Sequence, residues 1–290
     1  HYATDMYFDG AGRHQSFAKY LIRDGNEVKI FCASTVHNSD ISINTGDKKS
    51  VEKIGKDNVP YIFIKTKNYV GNGRQRIRNM IEYYLKIFGV ARQEIKQRGK
   101  PDVILASSVH PLALVAGIKI AKKIGVPCVC EVRDLWPETF LDFGFTKKNP
   151  IIKGMYRLEK WIYKKADKLI FTMEGGKDYI IEKKWDTCID LSKINYINNG
   201  IDLELFEENA SQCSINDADL QSKAFKVIYT GSIRAANGIF NIIECAKLLD
   251  SNIKFLIYGD GEEREKSESY CTENKILIDL ELVKISFLSI

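Results

Sequence analysis

Short runs of apolar, mostly β-branched residues alternate along this chain with longer stretches whose apolar positions recur every three or four residues. The runs at 28–32, 61–64, 103–106, 128–132, 168–172 and 194–197 read as strands. Between several of them the helical spacing predicts helices over 12–23, 76–97, 112–124, 151–166 and 175–184. Strands apolar on both faces, alternating with helices, predict a parallel sheet covered on both sides. Gly99-Lys100-Pro101-Asp102 stops a helix just ahead of a strand.

The pattern breaks over residues 207–224, which are polar, carry Asn, Ser, Asp and Gln, and lack periodicity. They are expected to link two domains, one over 1–206 and one over 225–290. A second α/β pattern follows the break: a strand at 226–229, a helix at 238–249, a strand at 254–258 and a polar helix from Glu262. One such unit is too little for a complete sheet domain, so the second domain is expected to be partial. No internal repeat or low-complexity segment is visible.

Composition changes this picture little. At 290 residues the chain can bury a sizeable core, and 44% hydrophobic with 28% charged residues is the balance of a globular protein. No apolar run nears the ~20 residues of a membrane span, and no signal peptide is visible, although the chain does not start with Met. The seven cysteines include no C-x-x-C pair, and Cys128 and Cys130 sit in a strand as small hydrophobes, so no metal site is expected. Free thiols suggest the cytoplasm.

The net charge of +5 is modest, yet basic residues concentrate between Arg74 and Lys100. Ile77, Met80, Ile81, Tyr84, Leu85, Phe88 and Val90 fall among them at helical spacing. Two readings stand here: a core-facing helix with a solvated basic face, or a peripheral contact with anionic lipid headgroups. Nucleic-acid binding lacks a recognised module.

Candidate chemistry gathers where strands end and helices begin. Phe8-Asp9-Gly10-Ala11-Gly12-Arg13-His14 precedes the first predicted helix, where glycines let backbone N–H groups approach a phosphate or sugar, although paired glycines are also simply a turn. Ser107-Ser108-Val109-His110-Pro111 either presents His110 to a ligand or caps a helix through Ser108 or His110. Cys130-Glu131-Val132-Arg133-Asp134-Leu135-Trp136-Pro137-Glu138 crowds acids, an Arg and a Trp at one strand end. That favours a site over an internal Arg133–Asp134 or Arg133–Glu131 pair. Glu174, in Thr172-Met173-Glu174-Gly175-Gly176, and Asn199, in Asn198-Asn199-Gly200-Ile201-Asp202, lie at the same edge.

In the second domain, Tyr229-Thr230-Gly231-Ser232-Ile233-Arg234 runs through Ala235-Ala236-Asn237-Gly238 into a helix. Such a turn can hold a diphosphate by backbone donors, helix dipole and cation together. Tyr258-Gly259-Asp260-Gly261 repeats the same logic one unit later.

Taken in order, His1-Tyr2-Ala3, Gly10 and Gly12, Asp134-Leu135-Trp136-Pro137, Asn198-Asn199-Gly200-Ile201-Asp202, Gly231-Ser232-Ile233-Arg234 and Tyr258-Gly259-Asp260-Gly261 resemble family 4 glycosyltransferases with the GT-B fold. The bacterial surface-polysaccharide type is the nearest in flavour. The resemblance implies two Rossmann-like doubly wound domains, the second incomplete here. It also implies retaining transfer of a hexose-type sugar from a nucleotide-diphosphate sugar to a lipid-linked or polysaccharide acceptor, without a metal or other cofactor. Arg234 would neutralise the departing diphosphate, with Gly231, Ser232 and Asn237 beside it. Gly10, Gly12 and Arg13 would close over the phosphates, and Gly259, Asp260 and Gly261 would lie near the base. His110, Arg133 and Asp134 would face the acceptor or the reacting sugar, with Arg234, His110 and Asp134 as the catalytic set. Glu138, Glu174 and Asn199 would add substrate contacts.

Two departures qualify this. Ser232 and Asn237 stand where many relatives carry Arg and Lys. Relatives also continue about a hundred residues further, through a pair of glutamates that binds the donor, so weak or absent transfer by this chain is expected. The segment from Ile276 to Ile285 does not resemble that continuation. The alternative is a non-catalytic remnant that binds an acceptor or partner. A nucleotide-sugar epimerase would want a third glycine after Gly10 and Gly12.

Overall fold

The computed structural model describes residues 1–71, 73–142, 144–214, 217–248, 253–274 and 278–281. They form two compact units, His1–Leu203 and Glu204–Ile290, each with its own core. Leu249, the end of the helix predicted over 238–249, and 275–277 and 282–290, on which parts of the tail fall, lie outside the described residues.

The first unit holds two sheets. In one, β1 (Ile30–Ala33) pairs parallel with β3 (Pro60–Ile64), and β2 (Ser50–Ile54) pairs antiparallel with β3. In the other, β4 (Ile104–Ser107), β5 (Cys128–Val132), β6 (Lys168–Phe171) and β7 (Ile194–Tyr196) run parallel in that order. β2 was not expected. Val51 and Ile54 are its only apolar residues and it only half-buries its first three, so it lacks the apolar run that marks the other strands.

Helices cover the first sheet on both faces. α1 (Thr4–Asp9) and α2 (Arg13–Arg23) bring Ala3 and Ala18 against Cys32, Tyr61 and Phe63. On the opposite face α3 (Arg74–Arg98) packs Tyr83, Ile87 and Val90 against Ala33, Ile62 and Ile64. The second sheet differs from the expectation. Its inward-pointing Ala106, Cys128, Cys130, Val132, Leu169 and Phe171 pack on α4 (Pro111–Ile124), α6 (Pro150–Lys165) and α7 (Gly176–Glu182). Successive strand side chains alternate in direction, and on the other face Leu105 stays 44% exposed. That face is only partly covered.

α1 also differs from the sequence reading, because Phe8 and Asp9 belong to this short helix rather than to a loop. So does α5 (Trp136–Asp142), which begins inside the acidic motif. The stretch expected to be a linker contains α8 (Leu203–Gln212) and α9 (Ala218–Gln221), the latter capped by Asp217, whose carboxylate accepts from the Asp219 and Leu220 amides.

The second unit has three parallel strands, β8 (Phe225–Thr230), β9 (Ile253–Tyr258) and β10 (Ile278–Glu281), in the order β10-β9-β8. α10 (Ile239–Ala246) and α11 (Arg264–Glu273) close a small core of Ile233, Ile239, Ile243, Ile257 and Cys271.

Candidate functional site

The strand ends of the first unit meet around Glu131, which is fully buried. Its carboxylate accepts from Arg13 Nε at 2.8 Å and Ser107 Oγ at 2.7 Å, and His14 Nε2 lies at 3.3 Å. Burial acts to raise this carboxyl, but the bonds from His14, Ser107 and Arg13 outweigh it and hold the group down at about 2. Arg13 goes further. Its terminal nitrogens donate to the Asn198 and Ile197 carbonyls at 2.7 and 3.0 Å and to Asn199 Oδ1 at 3.3 Å. Four of the five guanidinium N–H donors are therefore committed inside the protein, and the planar head stacks 4.6 Å from the Phe17 ring centre.

The loop after β7 is anchored to α2 a second time. Asp202 accepts from Lys19 Nζ at 2.8 Å and Tyr20 Oη at 3.0 Å. Arg13 and Asn199, expected to touch substrate, thus bind each other. Gly12, which opens α2 at φ 112°, holds a backbone shape that side chains disfavour, and it sets Arg13 at the start of the helix. Gly10 ends α1, also at positive φ.

His110 starts α4 without a side-chain cap bond, and Pro111 follows at the first helical position. Its ring is fully buried. Nε2 lies 2.6 Å from His1 Nδ1, while Nδ1 is buried without a partner among the described residues. Burial, then the amino terminus and Arg76, push the imidazole down to about 3, so it is neutral. Ser108 does not cap the helix either; its Oγ accepts from the Arg133 amide at 3.0 Å.

The Arg133–Asp134 and Arg133–Glu131 pairs weighed as a purely structural role do not form among the described residues; Arg13 takes Glu131 instead. Asp134 is exposed and Arg133 half-buried, and neither makes an ion pair among the described residues. Glu174 is exposed as well. Glu138, expected to add a substrate contact, has partners within the protein. It accepts from Tyr156 Oη at 2.8 Å and Tyr179 Oη at 3.2 Å and pairs with Lys183, which ties α5 to α6 and α7. Burial raises its carboxyl and Lys183 with the tyrosines lowers it, with a net lowering.

Asp134 and Trp136 line a small cavity, partly open to solvent, whose wall includes Ser108, Leu114, Met155 and Glu159. Glu159 escaped the sequence reading. It is buried beneath this cavity and accepts from Tyr163 Oη at 2.9 Å and Tyr179 Oη at 2.8 Å. Burial outweighs those bonds and lifts the carboxyl to about 7. The signal in the sequence was Glu159 followed four residues later by Tyr163 on an otherwise apolar helix face. Glu131, a lone acid inside the apolar run of β5, was a signal of the same kind.

In the second unit the two glycine turns continue the β8–β9 ladder. The Gly231 amide donates to the Tyr258 carbonyl at 3.0 Å, and the Ile233 amide to the Asp260 carbonyl at 2.9 Å. A Cβ on Gly259 would stand 1.8 Å from the Gly231 carbonyl oxygen, so this approach requires glycine. Asn237 Nδ2 donates to the Ser232 carbonyl at 2.7 Å and to Tyr229 Oη at 3.1 Å, which commits it to holding the turn. Ser232, Arg234 and Asp260 are exposed; the Asp260 carboxylate accepts from the Gly261 amide at 2.8 Å. Arg234 makes no ion pair among the described residues. No group of three or more His, Cys, Asp or Glu among the described residues could hold a metal ion.

The sequence pattern of Glycosyltransferase Family 4 matches residues 8–205, more than half of the chain. The chain belongs to that family. No curated protein matches it. Among solved structures it is similar to sucrose-phosphate synthase from Thermosynechococcus elongatus (15% identity, TM-score 0.65, covering 94% of this chain and 65% of that one). It is also similar to Anabaena HepE in complex with UDP (14% identity, TM-score 0.52, covering 77% of this chain and 56% of that one). At these identities the likeness is one of fold, a mixed α/β fold with parallel sheets of the Rossmann-like GT-B kind. This family 4 chain spans less than two thirds of the length of either structure.

Proposed function

We propose that this family 4 chain serves a glycosyltransferase that moves a hexose-type sugar, with retention, from a nucleotide-diphosphate sugar to a lipid-linked or polysaccharide acceptor. The setting is cell-surface glycan biosynthesis on the cytoplasmic side of the membrane. The observation that carries the donor part is the stitched pair of turns, Gly231–Ile233 against Gly259–Asp260, with Arg234 exposed beside them and free of an acid among the described residues. UDP is bound in the HepE structure, which supports a nucleotide as the ligand.

In this reading Arg234 neutralises charge developing on the diphosphate as the sugar departs, a contribution felt in the transition state. No metal or cofactor is assigned. Ser232 offers its hydroxyl at the turn, and Asn237 shapes it. On the acceptor side, Arg133 and Asp134 present heads that make no ion pair among the described residues, and His110 is buried and neutral. Arg13, Glu131 and Glu138 hold the loops that carry them.

Titrating the 290-residue chain with UDP, UDP-sugars and GDP-sugars, with released nucleoside diphosphate followed by mass, tests the reading. Binding is expected, and Arg234→Ala should weaken it about ten- to hundredfold, the range for a hydrogen bond to a charged group. Equal affinity in that variant, or no nucleotide binding, would sink the donor assignment. Binding with little or no turnover is the outcome expected of this chain, whereas acceptor binding without nucleotide binding would favour a non-catalytic acceptor- or partner-binding role.

A further inference from the structure

We infer that the small cavity lined from α4, α5 and α6 is a subsite for the acetamido group of an N-acetylated sugar. This rests on the acceptor side of the proposed function and names the class of sugar bound there. Leu114, Val132, Trp136 and Met155 make the wall largely apolar. The space suits about two or three water-sized groups, the size of an acetyl tip rather than of a sugar ring. Trp136 is fixed in place by its Nε1–H, which donates to the Val109 carbonyl at 2.9 Å. That wall is therefore set before a ligand arrives.

Two polar side chains share this apolar space. Ser108 is 3% exposed, and its Oγ accepts from the Arg133 amide at 3.0 Å, yet its own O–H donates to nothing among the described residues. A buried hydroxyl proton without an acceptor is costly, and a ligand carbonyl in the cavity supplies one. Asp134 is exposed, and its carboxylate makes no hydrogen bond or ion pair among the described residues. One donor, one acceptor and an apolar end are the complement of an acetamido group. Its carbonyl would meet Ser108, its N–H Asp134, and its methyl the side chains of Leu114 and Met155. The methyl of a 6-deoxy sugar would fill the apolar end but leave both polar groups unmatched. A free amino sugar would press an ammonium against apolar carbon, which costs far more than burying a methyl. Glu159 also lines the cavity, and burial lifts its carboxyl to about 7, so in mildly acidic solution it adds no charge to hold such a cation.

Saturation-transfer NMR of the 290-residue chain near pH 6 tests this, with N-acetylglucosamine, N-acetylgalactosamine, glucosamine, glucose and fucose each titrated into the millimolar range. No nucleotide is present, so the outcome is independent of the UDP titration. Acetamido binding by a chain that takes no UDP would keep the subsite and strike the donor assignment, and the reverse would strike the subsite alone. Both N-acetyl sugars are expected to bind, with their acetyl methyl receiving the most saturation. The other three should bind at least about tenfold more weakly, as one hydrogen bond and one buried methyl imply. Ser108→Ala should weaken N-acetylglucosamine about tenfold. Asp134→Ala, at an exposed position, should do the same without touching the core. Met155→Phe, which fills the cavity from a half-buried position, should cost at least about tenfold. Lys123→Gln, on the exposed side of α4, should change nothing. No binding of either N-acetyl sugar, equal binding of glucose or fucose, or a preference for glucosamine would overturn the proposal. So would acetamido binding that survives both Asp134→Ala and Met155→Phe.

Discussion

Glu131 and Glu159 sit on neighbouring elements of one core and respond to pH in opposite directions. Glu131 is held at about 2 against a usual 4.5, so the folded state binds its proton less readily than the unfolded chain. The stability it contributes is present above pH 4.5 and is lost as pH falls toward 2. Holding the carboxyl at about 2 rather than 4.5 corresponds to about 3 kcal/mol. Glu131→Gln should cost about that much at pH 7, because it leaves Arg13 buried beside a neutral amide. Urea unfolding at pH 7 and again near pH 3 checks it; a variant whose acid limb runs parallel to the parent's would contradict the assignment. Glu159 is raised to about 7, chiefly by burial, so its folded state keeps a proton that the unfolded chain gives up. Its contribution is full below pH 4.5 and fades as pH climbs through 7. Glu159→Gln removes that loss, and the variant should gain on the parent by up to about 3 kcal/mol between roughly pH 5 and pH 8. A constant difference across that range would mean the carboxyl titrates normally.

At the scale of elements, what could be read along the chain was local. The parallel strands announce themselves because both faces are apolar over consecutive residues, and β5 was read to the residue as Cys128–Val132. β2 was missed because it is half-covered. α5 was missed because its hold on the fold is tertiary, through Glu138 to Tyr156, Tyr179 and Lys183. The same limit explains Arg13. Its residue type and its place after a glycine loop suggested a phosphate ligand, but its partners lie 118 to 186 positions away, and nothing local in the sequence reports them. The glycine turns were legible as motifs; that Gly259 backs onto the Gly231 carbonyl was not. Gly259→Ala must push β9's end away from that carbonyl, since backbone rather than a side-chain tip is in the way. About 1–3 kcal/mol of destabilisation confined to the second unit is expected, with weakened nucleotide binding. Calorimetry of the variant checks the first and titration with UDP the second; unchanged values would show that the turns move apart freely.

Across the whole molecule the two units differ in how much core secures them. The first packs β4–β7 under three helices with Tyr163, Phe171, Ile162, Leu169 and Ile180 all but inaccessible. The second gathers five small and medium side chains, while Phe225 is 71% exposed, Ile228 49% and Leu248 84%. Less apolar area leaves water there, at about 25 cal/mol per Å² of buried surface, so local opening should cost less. Hydrogen exchange should then find the amides of β5 and β6 protected longest and those of β8 and β9 exchanging sooner. Uniform protection across the chain would show that the second unit is no weaker than the first. Adding a nucleotide sugar sharpens the comparison, because a ligand protects whatever it must close on. If the turns hold the donor, protection should rise in 229–238 and 258–264, and Arg234→Ala should remove most of that gain without changing exchange in the free protein. A gain spread evenly over both units would point to general compaction, and a gain confined to the loop at Gly10 and Gly12 would move the nucleotide to the first unit.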